Sequence, residues 1–376
     1  MGNFGKSFLH HEESMSVIGP AVDATDVWFR LRLDAGDVRA VRLRQEVRRP
    51  RVGPPLVREP SSSVWETHIP RPPVDRLEYQ YQLEHTDGTH EIMLDPHNSR
   101  TAPGPFGGKS VLEFPGYRPP AWLDGGRSRS GRYIEMAVNS DVLGARVLLG
   151  LWASPGLDIE REAPLLIAHD GPEYDRYSGL LRYVSAMVVA ERLPPVRVAL
   201  LPPVDRNEHY SADPRYARAL AREFVPVLDW LAPQPPRRYD GRSWRVGIGA
   251  SLGALATLHA HRRYPGLFGG MFLQSGSFFQ RHVDGLESAF PRFDRIARFV
   301  ATVTEAATAR RPIPVGMTCG TIEENLSNNM RMRDALALQG YDVEFAEHRD
   351  GHNWISWRDS FDPHLTALLR RCWHEA

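Results

Sequence analysis

Between residues 26 and 84, apolar and polar side chains alternate in short runs (27–33, 38–43, 65–69 and 77–83) separated by Gly, Pro and Asp. A period of two places every second side chain on one face, so this part predicts half-buried antiparallel strands. Residues 49–60 and 95–120 are rich in Pro and Gly and read as loop or linker. The rhythm then changes. Continuous apolar runs at 146–152, 164–168, 196–201, 244–248, 270–274, 314–319 and 343–347 alternate with stretches of helical period such as 216–231 and 326–339. Strands apolar on both faces and separated by helices predict a mainly parallel, doubly wound α/β sheet. The boundary falls near Pro119 to Gly131, giving a small all-β domain with linker over residues 1–125 and an α/β domain over 126–376. There is no internal repeat.

Composition narrows the function classes. Hydrophobic residues at 42% and charged residues at 24% belong to an ordinary globular chain. Lys and Arg total 46 and Asp and Glu total 46, so no overall field draws the protein to nucleic acid or an anionic membrane, and any anionic ligand must be held by local charge. Cys319 and Cys372 make no disulfide framework and no metal-ligand spacing; neither metal nor cofactor is expected. The first 20 residues show no apolar core of a signal peptide, and Lys6 stands where a myristoylation signal needs Ser or Thr. No run is long and apolar enough to span a bilayer. A cytoplasmic location with reduced thiols is the expectation.

The chemistry concentrates at 244–256, which reads as strand, tight turn and helix start. Within it, Gly249-Ala250-Ser251-Leu252-Gly253 is a G-x-S-x-G nucleophile elbow, the signature of the α/β-hydrolase fold. The glycines make a strained turn sterically possible and lift the serine hydroxyl above the sheet, while the Leu252 N–H at a helix N-terminus suits an oxyanion. Gly247, Gly249 and Gly253 also form a loose dinucleotide loop. That reading needs an acidic residue about 20 positions on, and none occurs between Ser251 and Asp284.

In this fold the acid and the histidine follow the serine. His352, in the loop after the last predicted strand, is the candidate base. His259, His261, His282, His348, His364 and His374 fall on helices, in a strand or at the tail. The loop 320–325 offers Glu323 and Glu324 as acid, either of which could instead favour the next helix N-terminus. The strand and loop 164–174 fit the second oxyanion donor, with Gly171 allowing close backbone approach and Tyr174 walling the pocket.

Together these segments resemble the enterochelin (ferric-enterobactin) esterases and their esterase-D-like relatives. The resemblance rests on His169-Asp170-Gly171, on 205–210, on the Ser251 elbow, on Gly320-Thr321-Ile322-Glu323, and on Asp350-Gly351-His352-Asn353-Trp354 with Trp357. Residues 78–81, 95–98 and 106–110 are similar to that family's N-terminal immunoglobulin-like β-sandwich. The resemblance implies Ser251 as nucleophile, His352 as base and Glu323 as acid, with Glu324 the alternative. Asn353 and Asp350 depart from the family pattern outside the triad. Pro172 lacks the N–H that relatives use after Asp-Gly, which turns the oxyanion expectation to Gly171 or Glu173.

The activity implied is hydrolysis of ester or lactone bonds in an iron-loaded catecholate siderophore, releasing iron in the cytoplasm. Arg206 is the first candidate to meet that anion, with Trp354 and Trp357 as stacking walls. Against it stand pairing of Arg206 with Glu208 or Asp205 and packing of both tryptophans. Two other readings stand beside the first: a general acyl, feruloyl or acetyl esterase, and a non-catalytic glycan binder using Trp28, Trp65, Tyr79 or Tyr81. No nucleic-acid or membrane partner is expected, and the sequence leaves the oligomeric state open.

Overall fold

The computed structural model describes residues 18–34, 36–47, 49–124, 131–158, 160–238, 240–285 and 287–373. The N-terminal segment with Lys6, linker residues 125–130 and His374 lie outside the described residues. The chain divides into two units, one running to Arg118 and taking in Arg349–Gly351, the other holding the remainder.

In the first unit the alternating pattern becomes β1 (Gly19–Val22), β2 (Asp26–Arg32), β3 (Val38–Gln45), β4 (Val52–Pro55), β5 (Val57–Arg58), β6 (Val64–Pro70), β7 (Arg76–His85), β8 (His90–Met93), β9 (Thr101–Ala102) and β10 (Lys109–Glu113). They pair antiparallel as β1-β2-β6-β5 and β4-β3-β7-β10-β9, with β8 on β7. Val27, Phe29 and Leu31 of β2 and Tyr79, Tyr81 and Leu83 of β7 are buried between the sheets. The Phe29 and Tyr79 rings meet edge-on at 4.8 Å. Trp65 is buried as well and Trp28 half-buried, so three of the four aromatics of the glycan reading are core. The expected loops at 49–60 and 95–120 hold β4, β5, β9 and β10. All are short, and Pro54 and Pro55 sit on an edge strand, where proline costs no ladder bond.

The second unit is an α/β-hydrolase fold. Its sheet runs β11 (Arg132–Ser140), β12 (Ala145–Ala153), β13 (Leu165–His169), β14 (Arg197–Leu201), β15 (Arg245–Ala250), β16 (Gly270–Gln274), β17 (Pro314–Gly320) and β18 (Asp342–His348), in the order β11-β12-β14-β13-β15-β16-β17-β18. β11, β12 and β14 pair antiparallel and the other neighbours parallel. Along β13, Leu165 and Ile167 enter one core while Leu166 and Ala168 enter the other, which is why the strand reads as a continuous apolar run. The helices that frame the site are α1 (Gly171–Ser178), α2 (Leu180–Val189), α3 (Leu252–Arg263), α4 (Leu326–Leu338) and α5 (Trp354–Asp359).

Two expectations change here. β11 is an unforeseen edge strand that alternates polar and apolar residues and is exposed at every second position over much of its length. The single helix expected at 216–231 is instead Pro214–Ala219, a widened turn at Leu220–Phe224 and Val225–Leu231. Pro226 has no N–H, so a regular ladder cannot run through it.

Candidate active site

The elbow follows from a division of labour along β15. Val246, Ile248 and Ala250 face one core, while Gly247 and Gly249 face α3, which packs back onto the strand. A Cβ on Gly249 would lie 2.3 Å from the carbonyl carbon of Gly253, so only glycine lets the helix start that close. Ser251 then takes φ 56° and ψ −120°, a conformation costly for a side-chain-bearing residue. Its N–H donates to Gln274 O at 2.9 Å. Leu252 opens α3, where free N–H groups and the positive end of the helix dipole favour a developing anion. The half-buried Ser251 hydroxyl is hydrogen-bonded to Ser277 Oγ at 3.1 Å.

His352 Nδ1 stands 2.7 Å from Glu323 Oε2. The Glu323 side chain is 1% exposed and that of His352 is 36% exposed, so the carboxylate is sealed and the imidazole reaches the surface. Glu323 Oε1 accepts from Ser275 Oγ at 2.7 Å and from the Gly320 N–H at 2.8 Å. Burial pushes the Glu323 pKa up. The His352 charge, its hydrogen bond, and those of Ser275 and Gly320 outweigh this and hold it below the ordinary glutamate range. Glu324 is exposed. Of the other histidines, His259 and His261 are buried within α3 and His348 ends β18.

The loop after β13 comes within reach of the elbow. A Cβ on Gly171 would fall 2.4 Å from Leu200 Cα, so glycine is required there, and Asp170 before it is left-handed with φ 51°. The Asp170 N–H is taken by Tyr210 Oη at 3.2 Å, and Pro172 has none.

Three substrate-facing expectations are revised. Tyr174 is fully buried and donates to Gln274 Oε1 at 2.8 Å, so it supports the site from below rather than walling a pocket. Trp357 is 5% exposed, lies edge-on to the His352 ring at 5.1 Å, and donates its indole N–H to Ser275 Oγ at 3.0 Å. Arg206 pairs with neither Glu208 nor Asp205. It grips Asp170 two-handed, Nε to Oδ1 at 2.9 Å and Nη2 to Oδ2 at 2.8 Å, while Glu208 pairs with Arg292 and Arg295. Trp354 is half-buried against Tyr174, Tyr177 and Trp357.

Ser275 and Ser277 went unnoticed in the sequence. The available signal was Gln274-Ser275-Gly276-Ser277, a polar cluster at the carboxyl end of the strand beside the elbow strand, where parallel sheets place their ligands. Among the described residues no group of three or more His, Cys, Asp or Glu could hold a metal ion.

The Esterase family's sequence model matches residues 155–368, more than half of the chain. This chain belongs to the Esterase family. It is similar to the iron(III) enterobactin esterase of Dickeya dadantii, 26% identical over 234 residues that span 57% of this chain and 53% of the relative, so the match covers about half the relative's length. The fold is that of the enterobactin esterase of Shigella flexneri crystallised in the presence of enterobactin, with a TM-score of 0.74, 18% identity, and coverage of 96% of this chain and 97% of that one. The ferric enterobactin esterase of Salmonella typhimurium gives 0.73 at 20% identity, covering 96% and 98%. The resemblance to enterochelin esterases drawn from the sequence is met by these relatives.

Proposed function

We infer that the protein is a serine esterase that opens ester or lactone bonds of a ferric catecholate siderophore. The observation that carries this is the buried Glu323 carboxylate 2.7 Å from His352 Nδ1, joined to the strained Ser251 elbow through Ser275 and Ser277 of one segment. In this reading Glu323 fixes the tautomer with Nδ1–H toward the carboxylate and leaves Nε2 free to accept a proton. The Ser251 hydroxyl leaves Ser277, gives its proton to His352 Nε2 and adds to the acyl carbon. The Leu252 N–H and that of Gly171 or Glu173 take the carbonyl oxygen's charge. His352 returns the proton to the leaving alkoxide, and the acyl-serine is hydrolysed by a water that His352 deprotonates. Glu324, exposed, takes no part.

The siderophore as substrate rests on the named relatives, and we propose that it is hydrolysed in the cytoplasm, where the free Cys319 and Cys372 would stay reduced. The Arg206 pairing favours a second reading. With Nε and Nη2 of that guanidinium on the Asp170 carboxylate, the charge of the first cation assigned to the anionic substrate is largely offset, and a general acyl esterase gains ground. Product analysis after incubation with ferric enterobactin, iron-free enterobactin and a p-nitrophenyl acyl ester separates the two. The siderophore reading expects linear hydrolysis products from the iron-loaded lactone. Turnover of the nitrophenyl ester alone selects the general esterase.

A further inference from the structure

The segment after β16 carries two serines that touch opposite ends of the proposed site. Ser277 holds the Ser251 hydroxyl, and Ser275 holds the far oxygen of Glu323. The loop between them is clamped. Gly276 N–H donates to Asn329 Oδ1 at 2.8 Å, and the carbonyls of Ser275 and Gly276 accept from Asn325 and Asn329 of the α4 end. Ser275 itself is left-handed, with φ 48°.

The direction of one proton in this cluster is fixed by its neighbours. An indole N–H can only donate, so Ser275 Oγ accepts from Trp357 Nε1 and must spend its single proton on Glu323 Oε1. The opposite arrangement, with serine accepting from a protonated Glu323, would leave that hydroxyl proton without this acceptor. We propose that Ser275 is a positioning residue of the site: its hydroxyl, turned by the Trp357 N–H, fixes the Glu323 carboxylate toward His352 and draws off part of its charge. This rests on the triad reading above. Its consequence is a base tuned from behind. With the hydroxyl present, part of the Glu323 charge is drawn to Oε1, and less of it faces the His352 Nδ1–H at Oε2. Among the described residues the Cys319 thiol and His348 also act on Glu323: burial raises the thiol far, so it stays neutral throughout, and burial lowers His348 below the ordinary histidine range, so its ring is followed separately in the same titration.

The test follows the His352 ring by NMR pH titration, with its signals assigned by comparison with His352→Gln, alongside the acid limb of kcat/KM for a small nitrophenyl ester. In Ser275→Ala we expect the His352 titration to move up by about half a pH unit, and the acid limb to move with it, KM staying unchanged. Ser275→Gly lacks the same hydroxyl but relieves the left-handed backbone, so it must move the titration equally; Trp357→Phe should move it the same way by less. A titration that stays put or falls in both Ser275 variants overturns the proposal. A titration that moves up while no acid limb follows it leaves Ser275 acting on His352 and removes the triad reading instead.

Discussion

Glu323 is the residue on which the proposed chemistry turns, because it is a carboxylate both sealed from solvent and bonded to the candidate base. Glu323→Gln keeps the size and loses the charge, and we expect kcat to fall by about 10³- to 10⁴-fold. Glu324→Gln, at an exposed position, should stay within about twofold. Steady-state kinetics on the two variants decide the assignment, and a larger loss in the second reverses it. Arg206 makes a different prediction. Since it grips the buried Asp170 beside Gly171, Arg206→Ala should depress turnover of a small neutral ester and of a ferric siderophore alike. A rise in KM confined to the siderophore would return Arg206 to the substrate. The sequence made Ser251, His352 and a choice of two glutamates legible, since each sits in a motif whose spacing the chemistry dictates. It could not show that Arg206 reaches Asp170, 36 residues away, or that the Trp357 N–H is used inward, because those pairings depend on which loop ends the fold brings together.

At the scale of elements, β15 and α3 form the platform that sets Ser251. Gly249→Ala would push a methyl into the carbonyl of Gly253, so the helix must retreat from the strand. We expect a loss of about 1–3 kcal/mol in urea unfolding, accompanied by loss of activity. An unchanged midpoint would mean that the elbow tolerates the wider spacing. The strands of this platform were readable because both of their faces are apolar. β11 was not, since an edge strand exposed on one side carries too many polar residues to stand out, and the break in 214–231 turns on Pro226 within an otherwise helical pattern.

For the molecule as a whole, the same carboxylate links folding to pH. Its native pKa lies below the ordinary glutamate value, so between the native and unfolded values the unfolded chain binds more protons. The Glu323 contribution is therefore present above the unfolded value and lost as pH falls through the native one. Urea unfolding from neutral to acidic pH should show a steeper decline for the wild type than for Glu323→Gln; parallel curves would mean that the native carboxylate is not held ionised. The sandwich unit and the α/β unit were both legible from the switch between a period of two and continuous apolar runs. In the proposed mechanism one serine of this chain forms the acyl intermediate. Peptide mapping after reaction with a fluorophosphonate should therefore find a single adduct on Ser251 and none in a folded Ser251→Ala variant. An adduct on Ser277, whose hydroxyl lies 3.1 Å from that of Ser251, or equal labelling of the alanine variant, would contradict it.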